Sequence, residues 1–187
     1  MRTKFADVYD RFFGKITDDM YVEVTQEDTI RDLQSLIIDA IPGFEFPRKV
    51  LSDYVIDIVE VNKEELTEQD YVITGYVDET EPTVTVDRSY FRSNLTSEEI
   101  NILAILMLIA WTQRQVTSIE NTRMKYSGSD FKMTSQANHL AKLLNLLTET
   151  QRQSHHMQRL YKRRKTDGEG NISSNWSVLR EVSALDY

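Results

Sequence analysis

Residues 95–165 constrain this chain more than any other stretch: two long helical patterns joined by a short polar loop, the second ending in a basic cluster. Leu95, Thr96, Ser97, Glu98, Glu99 and Ile100 announce the first helix. Thr96 stands at the cap, Glu99 three residues on reaches back to the Thr96 amide, and Leu95 and Ile100 take the flanking apolar positions. Residues 102–111 are then unbroken apolar sequence, so this helix is apolar all round and needs cover on every side. It runs to about Tyr126, where Ser127, Gly128, Ser129 and Asp130 offer a stop and a tight polar connection.

Thr134 or Ser135 caps the second helix, whose apolar face reads Leu140, Leu143, Leu144 and Leu147. Residues 148–156 contain no aliphatic side chain. At 1.5 Å per residue a helix over 135–165 is roughly 46 Å long, so its distal half is expected to project beyond the core. The spacing places Ile102, Leu106, Ile109 and Trp111 at the centre of a helical bundle, against Leu140, Leu144 and Leu147 of the antiparallel partner.

The N-terminal half adds shorter elements. Phe5, Val8, Tyr9, Phe12, Phe13 and Ile16 recur at helical spacing. A second helix starts at Thr25, with Asp28 at its third position and Ile30, Leu33, Leu36, Ile37, Ala40 and Ile41 on one face, and Pro42 and Gly43 stop it. Residues 71–77 and 83–91 are β-branched and aromatic around a polar turn, which predicts a hairpin. Residues 54–61 suit helix or strand, and their β-branched content favours strand. The expected fold class is mainly α: a long-helix bundle with an antiparallel αα-hairpin as its spine, a small inserted β-hairpin or sheet at about 50–92, and an extended C-terminal arm. Residues 1–165 would form the body and 166–187 a docking tail.

Charge divides along the chain. Residues 1–94 hold 21 acids and 10 bases, a balance of −11, whereas the remainder holds 9 acids and 12 bases, a balance of +3. Such a dipole favours head-to-tail contacts between copies, although a simply solvated surface explains it as well. With 187 residues and a hydrophobic content of 40%, the chain suits one domain that buries part of its surface against partners. The lack of cysteine excludes disulfides, thiolate metal sites and thiol catalysis, and fits an intracellular protein. No apolar leader follows Met1, and the 102–111 run is shorter than a bilayer span, so a soluble protein is expected.

Chemistry has little to work with. GxSxG, a phosphate-binding glycine loop, HExxH and a paired-carboxylate motif are all absent, so no enzyme and no cofactor are expected. His155 and His156 are adjacent and point about 100° apart on a helix, and a metal is not expected there. The cluster Arg159, Lys162, Arg163, Arg164 and Lys165 is a candidate partner-binding surface for an acidic protein; a basic last turn that offsets the helix dipole explains only one or two of its five charges. Base reading is not supported by any recognition motif. Beyond a glycine-containing break at 166–171, Trp176, Leu179, Val182, Leu185 and Tyr187 are candidate anchors of a tail that docks on a partner or packs back on its own core.

Several of these stretches together resemble a known group. Residues 95–99 opening a helix that reads Ile102, Leu103, Ala104, Ile105, Leu106 and Met107, then 118–123 and 126–132, look like the head-to-tail connector (neck or adaptor, head-completion) proteins of tailed bacteriophages. The start of the second helix at 135–140 and its basic end belong to the same likeness, which is strongest over 95–165 and loose over 1–49. The resemblance implies a structural virion protein in the neck between capsid and tail, assembled in the host cytoplasm. Its copies would form a homo-oligomeric ring, typically of twelve, beneath the portal protein and beside a neighbouring neck or tail-completion protein. Genomic DNA would pass through the channel without being read. The strand-rich insertion departs from the simplest helical adaptor. Two other classes stay open: a nucleic-acid-binding regulator using the basic helix end, and a tail or baseplate structural subunit.

Overall fold

The computed structural model describes residues 2–16, 21, 24–67, 70, 82–125, 134–166 and 172–173. Within them the chain is mostly helical with small antiparallel sheets. The first strand, β1 (Thr3–Lys4), leads directly into α1 (Phe5–Phe13), where the Asp7 carboxylate accepts the Lys4 amide at 3.0 Å. Phe5, Val8, Tyr9 and Phe12 are completely buried, as their spacing predicts. Helix α2 (Gln26–Ala40) is capped by Thr25, whose hydroxyl oxygen accepts the Asp28 amide at 3.3 Å, and it buries Ile30, Leu33, Leu36 and Ile37. Residues Ile41–Gly43 form a 3-10 turn, and a Cβ on Gly43 would meet Leu106 Cδ2 at 3.0 Å, so the absence of a side chain there permits a close approach.

Residues 54–61 are strand, as their β-branched content suggests: β2 (Tyr54–Val55) and β3 (Ile58–Asn62). β4 (Thr83–Asp87) pairs along its whole length with β3, from Ile58 opposite Asp87 to Asn62 opposite Thr83. The other arm of the expected hairpin, residues 71–77, lies outside the described residues. β5 (Tyr90–Phe91) is the middle strand between β1 and β2. Phe91 thereby meets Phe5 with ring centroids 4.7 Å apart, which fastens the sheet to α1. A buried polar knot holds the turn between β4 and β5: Asp87 accepts from Tyr9 Oη at 3.0 Å, Gln34 Nε2 at 3.2 Å and the Ser89 amide at 2.8 Å.

The long helices are α3 (Ser97–Lys125) and α4 (Thr134–Arg163), followed by the short pair β6 (Lys165–Thr166) and β7 (Ile172–Ser173). The reciprocal cap forms as expected, with the Thr96 amide donating to Glu99 Oε2 at 2.7 Å and the Glu99 amide to Thr96 Oγ1 at 3.3 Å. Ile102, Leu103, Ala104, Ile105, Leu106, Met107 and Leu108 are all buried. By length and composition α3 over Ser97–Asn121 is apolar enough to cross a membrane, but α1 and α2 pack on it from within the chain. α4 runs antiparallel beside it, as Tyr161 against Glu99, Met157 against Asn101 and Leu143 with Val116 demonstrate.

Two expectations fail on α4. Its distal half does not project: Thr150, Ser154, Gln158 and Tyr161 are buried, Tyr161 within the main core. Leu144 does not pack against Leu106; it is 42% exposed, and Leu147 is only partly covered. Leu140 and Leu143 instead join Val116 in a separate small cluster with Ile119, while Ile102, Leu106 and Trp111 belong to the main core and Ile109 is half-buried against it. The physical reason lies in the seam. Leu140, Leu143, Leu147, Thr150, Ser154, Met157 and Tyr161 follow alternating steps of three and four, the period of a helix packed along one stripe. Where the seam changes from leucine to threonine and serine, small side chains cover the apolar half of α3. Their hydroxyls are satisfied, Thr150 donating to the Leu146 carbonyl at 2.7 Å and Ser154 accepting from Gln158 at 3.2 Å.

Candidate partner-binding surface

The basic cluster at the end of α4 sits on a fixed platform. Tyr161 donates to Glu99 Oε1 at 2.5 Å, and the Arg48 guanidinium lies over its ring, 4.4 Å from the centroid. Burial first, and then the hydrogen bond to Glu99, push the Tyr161 phenol above its ordinary pKa. Arg48 Nη2 donates to the Tyr161 carbonyl at 2.8 Å and to the Arg164 carbonyl, satisfying two acceptors at the helix end. Gln158 completes the clamp: its Oε1 accepts the Glu45 amide at 2.7 Å and its Nε2 donates to the Gly43 carbonyl at 3.2 Å. Segment 43–48 is thus stitched to α4 by residues more than one hundred positions away.

On this platform the five predicted basic residues separate into groups. Arg164 turns back to Glu98, with Nη1 to Oε1 at 2.8 Å, and Lys162 Nζ lies 3.9 Å from the centroid of the Phe46 ring. These two serve the chain's own fold. Arg159 and Arg163 are exposed and meet no acidic group among the described residues. Lys165 enters β6, opposite Ser173. Trp176, Leu179, Val182, Leu185 and Tyr187, with the tail they would anchor, lie outside the described residues, as does the connection over 126–133.

Arg152, and His156, which the sequence suggests only as a metal ligand to be discounted, belong with these exposed arginines. Arg152, His156, Arg159 and Arg163 are spaced four, three and four apart, so they lie on one exposed face of α4. A cleft of about 420 Å³ opens among Glu149, Arg152, Gln153, His156 and Arg159. Arg152 bonds Glu149 Oε1 at 3.0 Å, a surface pair one turn along the helix. His155 faces elsewhere and pairs with Glu45 at 3.1 Å. The helical spacing was visible in the sequence; grouping the bases by adjacency hid it.

A second, larger cleft of about 670 Å³ runs along α3, lined by Asp39, Ala110, Gln113, Arg114, Thr117, Ser118 and Asn121. Its cation is engaged, since Arg114 bonds Asp32 at 2.7 Å, Ser35 at 2.8 Å and Asp39 at 2.6 Å. That triple bond network fixes the end of α2 to the middle of α3. Among the described residues no group of three or more His, Asp or Glu side chains stands within reach of one metal ion. Both clefts are lined mostly by polar side chains of one or two helices.

Comparison with protein-family models, with curated proteins and with solved structures finds no match.

Proposed function

We propose that the chain is a structural virion protein of a tailed bacteriophage, a head-to-tail connector of the neck. Copies of its long-helix bundle form a ring of twelve beneath the portal protein, between capsid and tail, and extend the DNA channel without reading sequence. The observation that carries this reading is the basic end of α4. Its backbone and Tyr161 are clamped by Arg48, Gln158 and Glu99, while Arg159 and Arg163 remain exposed without acidic partners among the described residues. Clamping fixes the helix backbone that carries these arginines before a partner arrives, which lowers the ordering cost of association. The likeness of residues 95–165 to connector proteins supplies the assembly in which such a surface is used.

In this reading Arg159, Arg163 and Lys165 meet acidic surface on the portal or a neighbouring copy, and Trp176, Leu179, Val182, Leu185 and Tyr187 fill apolar pockets there. Deletion of residues 166–187 tests it. The truncated chain should keep its helical circular dichroism and lose incorporation into particles; infectious particles at wild-type yield would contradict the role given to the tail. The exposed arginines also favour a second reading, a nucleic-acid-binding regulator. Salt-sensitive binding of duplex DNA by the purified chain, outside any particle, would support that alternative.

A further inference from the structure

We infer that the cationic face of α4, Arg152, His156, Arg159 and Arg163, is one half of a contact between copies of this chain, and that Glu60, Glu64 and Glu65 of a second copy are the other half. The stripe covers residues 152–163, about 16.5 Å along the helix from first to last. All four side chains are exposed, and among the described residues only Arg152 has an acidic neighbour, Glu149. The inference deepens the proposed ring by naming its contact, and so rests on that reading for its closure.

The acidic half is a local cluster among the described carboxylates, several of which elsewhere are engaged within the chain. Glu27 pairs with Arg31, Asp32 and Asp39 hold Arg114, Asp53 holds Arg92, Asp70 holds Arg88, and Glu98 holds Arg164. Glu60, on the outward face of β3, and Glu64 and Glu65, in the 3-10 turn that follows it, are exposed and meet no cation among the described residues; the intervening Lys63 is half-buried. β4, which carries β3, rests on α2, whereas α4 lies along α3. The two charged surfaces therefore belong to different parts of the fold, and one copy does not bring them together.

Charge decides which occupant suits the stripe. A chain with a formal net charge of −8 meets a polyanion unfavourably along its whole length, whereas a second copy meets the three arginines of the stripe at one local patch. A second copy presents a compact acidic patch, in which Glu60, Glu64 and Glu65 hold no cation among the described residues. Joining the basic surface of one copy to the acidic surface of the next is a heterologous contact, the kind that closes into rings. Arginine's fixed fork also suits carboxylates.

Sedimentation of the purified full chain at low and high salt tests this. Wild type should self-associate at low salt and dissociate as salt screens the contact. R159E/R163E and E60K/E64K/E65K should each remain monomeric at low salt. Mixed together, they should associate again, because the intact acidic patch of the first variant meets the intact basic stripe of the second. The neutral R159Q/R163Q, which leaves the helix without added like charge, should weaken association at least tenfold. Wild type that stays monomeric at low salt, or R159Q/R163Q that associates as wild type does, overturns the inference. So does a wild type that binds random-sequence duplex DNA through Arg159 and Arg163 while its self-association ignores both, which would assign the stripe to nucleic acid. The ring reading is judged separately, by incorporation into particles, so either can fail alone.

Discussion

The two halves of the α3–α4 pair use the same pair of helices in opposite ways. At the base, residues 102–108 of α3 are buried among α1, α2 and the 3-10 turn at Ile41–Gly43, and α4 meets them with Thr150, Ser154, Gln158 and Tyr161. At the tip, α4 offers Leu140, Leu143, Leu144, Leu146 and Leu147, yet among the described residues the buried cluster there is Val116, Leu140 and Leu143 with Ile119 beside it. Leu144 and Leu146 are more than two-fifths exposed. The half of α4 richer in leucine thus has the poorer core. Burial follows from how many elements surround a site, and the polar seam at the base is affordable because each of its groups finds a hydrogen-bond partner.

Truncation of the core separates the halves most sharply. Leu106→Ala removes a buried side chain pressed against Gly43 and should cost about 2–5 kcal/mol in chemical denaturation. A cost under about 1 kcal/mol would mean that the base is not the folding core.

Tyr161→Phe removes the donor to a buried carboxylate while leaving the Thr96 donors in place, for about 1–3 kcal/mol near neutral pH. The folded phenol has a raised pKa, so its contribution is whole below the unfolded value of about 10 and is lost as pH rises through the higher folded value. The stability gap between wild type and Y161F, followed by urea unfolding from neutral to strongly alkaline pH, should therefore narrow above about pH 10. A gap that widens there would contradict the buried, hydrogen-bonded phenol.

Leu143→Ala belongs to the tip and should cost less than Leu106→Ala, about 1–2 kcal/mol, since the site is flanked by exposed positions and can relax. An equal cost in the two variants would erase the difference between halves.

Much of the fold was legible in the chain. Thr25 with Asp28 and Thr96 with Glu99 mark helix starts by reciprocal side-chain bonding, a signal confined to four residues. The faces of α1 and α2 follow from spacing alone. The pairing of β4 with β3 was harder to see, because residues 63–82 separate the strands and alternation within a strand does not name its partner. The docked half of α4 was misread because aliphatic residues were taken as the sign of burial. Thr150, Ser154, Met157 and Tyr161 continue the three-and-four spacing of the leucines, and that continuation was the signal. At the basic end, neighbours in sequence diverge by about 100° around the helix, which sends Lys162 to Phe46 and Arg164 to Glu98 and leaves Arg159 and Arg163 facing out. The tail anchors, in contrast, rest on sequence pattern alone.

Native-state hydrogen exchange tests the difference between the halves most directly. Amides at 102–108 and 154–161 should exchange only through global unfolding, with protection that tracks the full unfolding free energy as denaturant is added. Amides at 116–121 and 138–146 should exchange through a smaller, local opening that leaves the base protected. Equal protection in both sets would show that the tip is held as firmly as the base and would contradict the division of the two helices into a docked half and an uncovered one.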